Sequence, residues 1–121
     1  MNFCERIKVD GDGHFAFQCL TSEDGARFFR DIRKYTSYSR AGNVVSVRYK
    51  TLWGTTAQDM TVGYRRVTFR GTGPMGVTFD GSWTHLDDSI ELEQTVDGVP
   101  NVMRAVVQNR IQRALEDLKN I

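Results

Sequence analysis

The residues best suited to hydrolytic chemistry are Ser82, His85 and Asp87, close together in "GSWTHLDD". A nucleophile, a base and an orienting carboxylate must converge within hydrogen-bond reach. On one extended strand, however, Ser82 and His85 have opposite parity, so their side chains leave opposite faces and cannot exchange a proton. His85 acting alone with water on a bound ligand is conceivable chemistry, but a structural or rim histidine is the simpler reading. Gly71, Gly73 and Gly76 spell GxGxxG in "GTGPMG". Dinucleotide binding by that spacing needs a helix N-terminus directly afterwards to receive the pyrophosphate, whereas "VTFDGSW" is strand-like, so the stretch reads as a hairpin loop. His14 and His85 are too few for a metal centre even with Asp87 and Asp88 nearby, and Cys4 and Cys19 lack CxxC spacing. No catalytic residue, cofactor or metal is assigned, and both cysteines are expected as reduced thiols.

A second group is basic and aromatic. "RFFRDIRKYTSYSR" sets Arg27, Arg30, Arg33 and Lys34 near Tyr35 and Tyr38, types that can meet RNA or phosphate. An exposed helix face accounts for them equally well, and a lipid headgroup or a coenzyme A phosphate at a cavity mouth is a third option. Residues 27–50 carry seven Lys/Arg against Asp31, while residues 80–98 carry six Asp/Glu and no Lys/Arg. With a net charge of only +1, this asymmetry suggests internal charge pairing, and no nucleic-acid partner is expected.

These residues must be positioned by elements that the hydrophobic period reveals. In "NFCERIKV", Phe3, Ile7 and Val9 share one face and Cys4, Arg6 and Lys8 the other, which predicts a strand. Glu5 shares the parity of Phe3 and points inward. "GDGHFAFQCLTSEDGARFFRDIRKY" changes period and predicts two short helices separated near "TSEDG", with Thr21 or Ser22 as a cap. Period two returns at residue 43. "NVVSVRYKTLW" places Val45, Val47, Tyr49, Thr51 and Trp53 on one row. "QDMTVGYRRVTFRG" starts with Met60, Val62 and Tyr64 on one face and ends with Val67 and Phe69 on the other parity, which predicts a bulge or tight turn near Gly63 to Arg66. Val77, Phe79, Gly81, Trp83 and His85 align, as do Ile90, Leu92, Gln94 and Val96 across a hairpin closed by "DD".

The last element is a helix of about five turns. Val99, Val102, Met103, Val106, Val107, Ile111, Ala114, Leu115 and Leu118 recur at steps of three and four, and Pro100 suits a first helical turn. That stripe must lie against the sheet.

With 121 residues, no repeat and no linker, the chain reads as a single domain, 1–121. Hydrophobic content of 40% and charged content of 26% fit an ordinary globular protein and exclude disorder. No apolar run approaches the ~18 residues a membrane span requires, and "MNFCERIKVDGDG" has no apolar core of a secretory signal. A cytoplasmic location is the resulting expectation.

Strand, two short helices, antiparallel strands and a long amphipathic C-terminal helix: this order resembles the helix-grip fold of the START/Bet v 1-like (SRPBCC) superfamily. The resemblance rests on "VDGDGHFAFQCLTSEDGARFF", similar to the segment in which that family follows its first strand with a helix and a Leu-Thr-Ser/Asp turn, and on "GVTFDGSWTHLDDSIELEQTV" before the terminal helix. It implies an α+β fold, here a curved antiparallel sheet of about six strands wrapped around the C-terminal helix, with first and last strands neighbours. Arg6 and Lys8 would then meet Glu91 and Glu93. The resemblance further implies an apolar cavity for lipids, polyketides or similar molecules, and cyclases and hydrolases also use the fold.

With the inner rows facing such a cavity, its lining is Tyr49, Trp53, Met60, Phe79, Trp83, His85, Leu92, Met103 and Val107, with Gln94 and Arg110 as polar contacts. A buried amide without a partner costs about 1–3 kcal/mol, so Gln94 needs a hydrogen bond, a water or a ligand. The alternative for this row is that Gln94 bonds a backbone group and Gly81 relieves a sheet bend. An empty space of about 300 Å3 would cost ~7 kcal/mol, comparable with the whole net stability, so only a modest, filled or solvated cavity is expected. The leading function is binding of a small hydrophobic or acyl-type molecule by a monomer or homodimer. The alternatives are a cyclase or hydrolase on the same scaffold and a protein-interaction domain with a filled core.

Overall fold

The computed structural model describes residues 1–9 and 13–121; Asp10, Gly11 and Asp12 of the "VDGDG" stretch lie outside the described residues. β1 (Asn2–Lys8) leads to α1 (His14–Cys19) and a short 3-10 turn, Asp24–Phe28. Then come β2 (Ser37–Ala41), β3 (Val44–Thr51), β4 (Gly54–Gly63), β5 (Arg66–Thr72), β6 (Thr78–His85) and β7 (Ser89–Asp97), and α2 (Arg104–Lys119) closes the chain. The strands form one antiparallel sheet in the order β1-β7-β6-β5-β4-β3-β2. Among the described residues no helix is long and apolar enough to cross a membrane.

Seven strands replace the expected six. β2 is the addition: its "SYSRA" offers a single large apolar residue, Tyr38, beside the small Ala41, because an edge strand has only one neighbour to satisfy. The parity slip near Gly63 resolves as a tight turn, with Gly63 facing Arg66 and Tyr64 and Arg65 between them. Of the two helices expected after β1, the second is only the 3-10 turn, where the Gly25 N–H donates to Ser22 Oγ at 3.0 Å. "GTGPMG" connects β5 to β6 through a 3-10 turn at Pro74–Gly76, so the glycine motif precedes a strand.

Register sorts every strand into two faces. Phe3, Ile90, Leu92, Val96, Val67, Phe69, Met60, Val45 and Val47 point inward and are buried. α2 runs along β1: the Arg104 guanidinium lies 4.7 Å from the Phe3 ring centroid, and Gln108 Nε2 donates to Glu5 Oε1 at 3.4 Å. Gln108 is thus the partner of the inward Glu5. Farther on, Ile111, Leu115 and Leu118 are buried, each contributing an upper estimate of about 1.5–3 kcal/mol. The expected stripe fails at its start. A 3-10 turn at Asn101–Met103 precedes α2, and its tighter repeat rotates Val102 out to 86% exposure. Val106 is exposed as well.

Charge pairing differs from the sequence expectation. Arg6 faces Glu91 and bonds it at 2.7 Å, but Lys8 faces Ser89 and Glu93 faces Cys4. Arg30 turns to Glu116 and Asp117, Arg113 to Asp31, and Arg65 to Asp87. Among the described residues, no ion pair joins the basic stretch 27–50 to the acidic stretch 80–98, because β2 and β3 lie at the sheet edge opposite β7.

Candidate functional site

The inner face is unevenly covered. His85 is buried, with its ring 5.2 Å from that of Phe17 in a stacked arrangement, while Met60 and Leu92 are also covered. Toward the loop end of the same face Tyr49, Gln58 and Phe79 are only half-buried although they point to the core side, and so are Gln94 and, nearer His85, Trp83. Met103, Val107 and Arg110, on the chain opposite them, are half-buried too. A solid core would bury these side chains. Their partial exposure leaves these side chains accessible on the core side of the sheet.

Sequence parity carried Trp53 into this lining, but the structure corrects that placement. β3 ends at Thr51, the chain reverses through Leu52 and Trp53, and Trp53 is 50% exposed on the turn, with its backbone N–H donating to Thr51 Oγ1. Period two is meaningful only while the ladder lasts.

Gly81 also has a structural explanation. A β-carbon there would collide with the Glu93 carbonyl across the β6–β7 pair, so the missing side chain permits a close backbone approach at the sheet bend. Gly81 therefore does not by itself create space for a ligand.

The polar wall joins Tyr49 to residues that the sequence did not assign to the lining: Gln58 and Thr56, and Tyr35 and Tyr38. Tyr49 faces Thr56 across β3–β4 and its hydroxyl lies 3.5 Å from Gln58 Oε1. Tyr35 stacks on Tyr38 at 6.0 Å between centroids and meets Tyr49 at 6.1 Å. Tyr38 donates its hydroxyl to the Thr21 carbonyl at 2.8 Å, which pins β2 to the segment after α1. Gln58 shares the parity of Met60, a signal present in the sequence, whereas Tyr35 and Tyr38 are spaced as on a helix and concealed the strand. Burial pushes the Tyr49 hydroxyl up to about 12, opposed by the nearby Arg110 guanidinium and by Thr56. Burial also raises Tyr35, with Tyr49 and Tyr38 adding to the effect. The result is a neutral phenol beside a cation, able to donate to a carbonyl oxygen.

Other chemistry is separated or occupied. Ser82 lies on the outer face, 3.4 Å from an Arg66 nitrogen, while His85 is inside, so no triad forms. Cys4 and Cys19 are free thiols. Cys4 Sγ and the Glu91 and Glu93 carboxylates lie within 4.8 Å of one another on the outer face, but Arg6 already engages Glu91. Desolvation and those carboxylates push the Cys4 thiol up, away from its thiolate. Two clefts, about 410 and 700 Å3, share Asp59, Arg70 and Asp80 on the outer face and are wide open to solvent.

No protein-family model matches the sequence, and neither does any curated protein. Solved structures do. The Zhui aromatase/cyclase from Streptomyces sp. R1128 superposes with a TM-score of 0.74 at 14% identity, over 99% of this chain and 92% of that one. DynU16, from the dynemicin biosynthetic locus, gives 0.74 at 13% identity over 98% of this chain, which spans only 46% of its length. The Aha1 dimer from Colwellia psychrerythraea gives 0.72 at 17% identity, over 99% and 94% of the two chains. Identities this low speak to architecture alone.

Proposed function

On the helix-grip fold that this chain shares with those structures, we propose that it binds a small, largely apolar ligand of polyketide or acyl type between the sheet and the first turns of α2. The observation carrying this reading is the half-burial of Tyr49, Gln58 and Phe79 at the loop end of the core-facing side, continued by Gln94 and Trp83 along the same face. Phe79, Trp83, Met103 and Val107 supply apolar contact, Met60 and Leu92 the floor beneath. The Tyr49 hydroxyl, Gln58 and Arg110 grip a carbonyl or carboxylate. His85, stacked on Phe17, supports the wall.

Ring closure on the same scaffold is the second reading. It is favoured by the neutral Tyr49 phenol beside Arg110, a pair suited to stabilising an enolate oxygen. The likeness to an aromatase/cyclase supports it only at the level of architecture. A filled core used solely for protein docking fits poorly with the half-buried inner row.

Native mass spectrometry of the full chain, followed by organic extraction, tests the leading reading. A non-covalent adduct is expected, and it should be lost in Arg110→Ala and in Phe79→Ala. A bare mass together with no uptake of polyketide or acyl probes would overturn it. Turnover of an aromatic polyketide precursor that disappears in Tyr49→Phe would establish the second.

A further inference from the structure

The antiparallel order gathers three connections at one end of the sheet: the β3–β4 turn, the β5–β6 loop and the segment from β7 to α2. They touch, since Pro74 packs on Gly54 and the Gly76 carbonyl on Gly98. Each displays an apolar side chain to solvent: Leu52 at 96% exposure, Met75 at 86% and Val102 at 86%, with Trp53 beside Leu52. Met75 does so from left-handed backbone (φ 59°), a conformation glycine would hold at lower cost. Nothing in the fold requires these side chains to be apolar.

The same end carries an excess of cations, four against the exposed Asp97 that closes β7. Lys50 is the next-to-last residue of β3, Arg104 sits over Phe3, and Arg33 and Lys34 precede Thr36, whose N–H donates to the Arg48 carbonyl. All four are exposed, and none belongs to an ion pair among the described residues. We infer that this loop end docks on an anionic lipid bilayer, with Leu52, Trp53, Met75 and Val102 dipping below the headgroups and Arg33, Lys34, Lys50 and Arg104 meeting the phosphates. Separate apolar tips, a tryptophan and a cationic collar are what an interfacial anchor needs. A protein partner would instead favour a continuous complementary patch. The inference stands on loop geometry and charge and does not depend on the proposed ligand site.

Co-sedimentation of the full chain with vesicles of mixed phosphatidylcholine and phosphatidylglycerol provides the test. Binding is expected, weaker on phosphatidylcholine alone, with Trp53 emission shifting to the blue and quenched by brominated lipid. The quenching should persist in Trp83→Phe and vanish in Trp53→Phe. Combining Leu52→Ser, Met75→Ser and Val102→Ser should lower the partition coefficient at least about tenfold with unchanged thermal stability, because all three side chains are exposed. Lys50→Gln should lower it about fivefold. No sedimentation at low salt, or binding indifferent to the triple variant, overturns the inference, as does capture of an acidic protein through these residues while vesicles are ignored. A vesicle-negative protein that still carries an adduct in native mass spectrometry would overturn this inference alone.

Discussion

Asp117, near the end of α2, accepts from both the backbone N–H and the guanidinium of Arg30, at 3.0 and 2.6 Å. One buried carboxylate thereby fastens the C-terminal end of the helix to the chain leaving the 3-10 turn after α1. Removing it orphans the Arg30 backbone donor and leaves the guanidinium only its exposed Glu116 partner. Thermal denaturation should rank wild type above Asp117→Asn and that above Asp117→Ala, since the amide keeps one acceptor.

The two ends of the terminal helix should respond differently to truncation. Leu118→Ala empties a site only 1% exposed and should cost about 2–5 kcal/mol in urea denaturation. Val102→Ala, at 86% exposure, should stay within about 0.5 kcal/mol. Equal costs would mean that the first turns of the chain after Pro100 pack onto the sheet.

Gly81→Ala places a methyl group against the Glu93 carbonyl and should destabilise by roughly 1–3 kcal/mol. A neutral or stabilising outcome would show that the sheet bend is not held by backbone proximity.

Tyr49 predicts a dependence on alkaline pH. In the unfolded chain it titrates near its ordinary value of 10.0, and in the fold burial raises it to about 12. Below the lower value both states are protonated, and this residue adds no pH dependence. Between the two values the unfolded state loses the proton that the folded state keeps, so stability declines as pH rises through that window. Denaturation midpoints should fall there, and less steeply in Tyr49→Phe.

Much of the architecture was legible because the ladder writes itself in alternating side chains. Phe3, Ile7, Ile90, Leu92 and Val96 announce β1 and β7, and the Arg6–Glu91 pair follows from their register. β2 was hidden because an edge strand needs little apolar content, and its tyrosines mimic helical spacing. Trp53 misled because its parity continued past the residue where pairing stops. At the candidate site, Tyr49, Phe79, Trp83 and Arg110 were readable from period and face. The Tyr35–Tyr38–Tyr49 grouping was not, since it depends on a crossing between segments that no local pattern encodes.

The pairing of β1 with β7 has a kinetic side. Asn2 lies opposite Thr95 and Lys8 opposite Ser89, so during synthesis the first strand of this sheet waits for its last, while β2 through β7 can zip together by neighbouring hairpins. During that interval Phe3 and Ile7 are uncovered, and the unclaimed flank of β7 is a template for any other extended chain. Covering that flank means closing a loop some eighty residues long, a far longer reach than any of the hairpins demands.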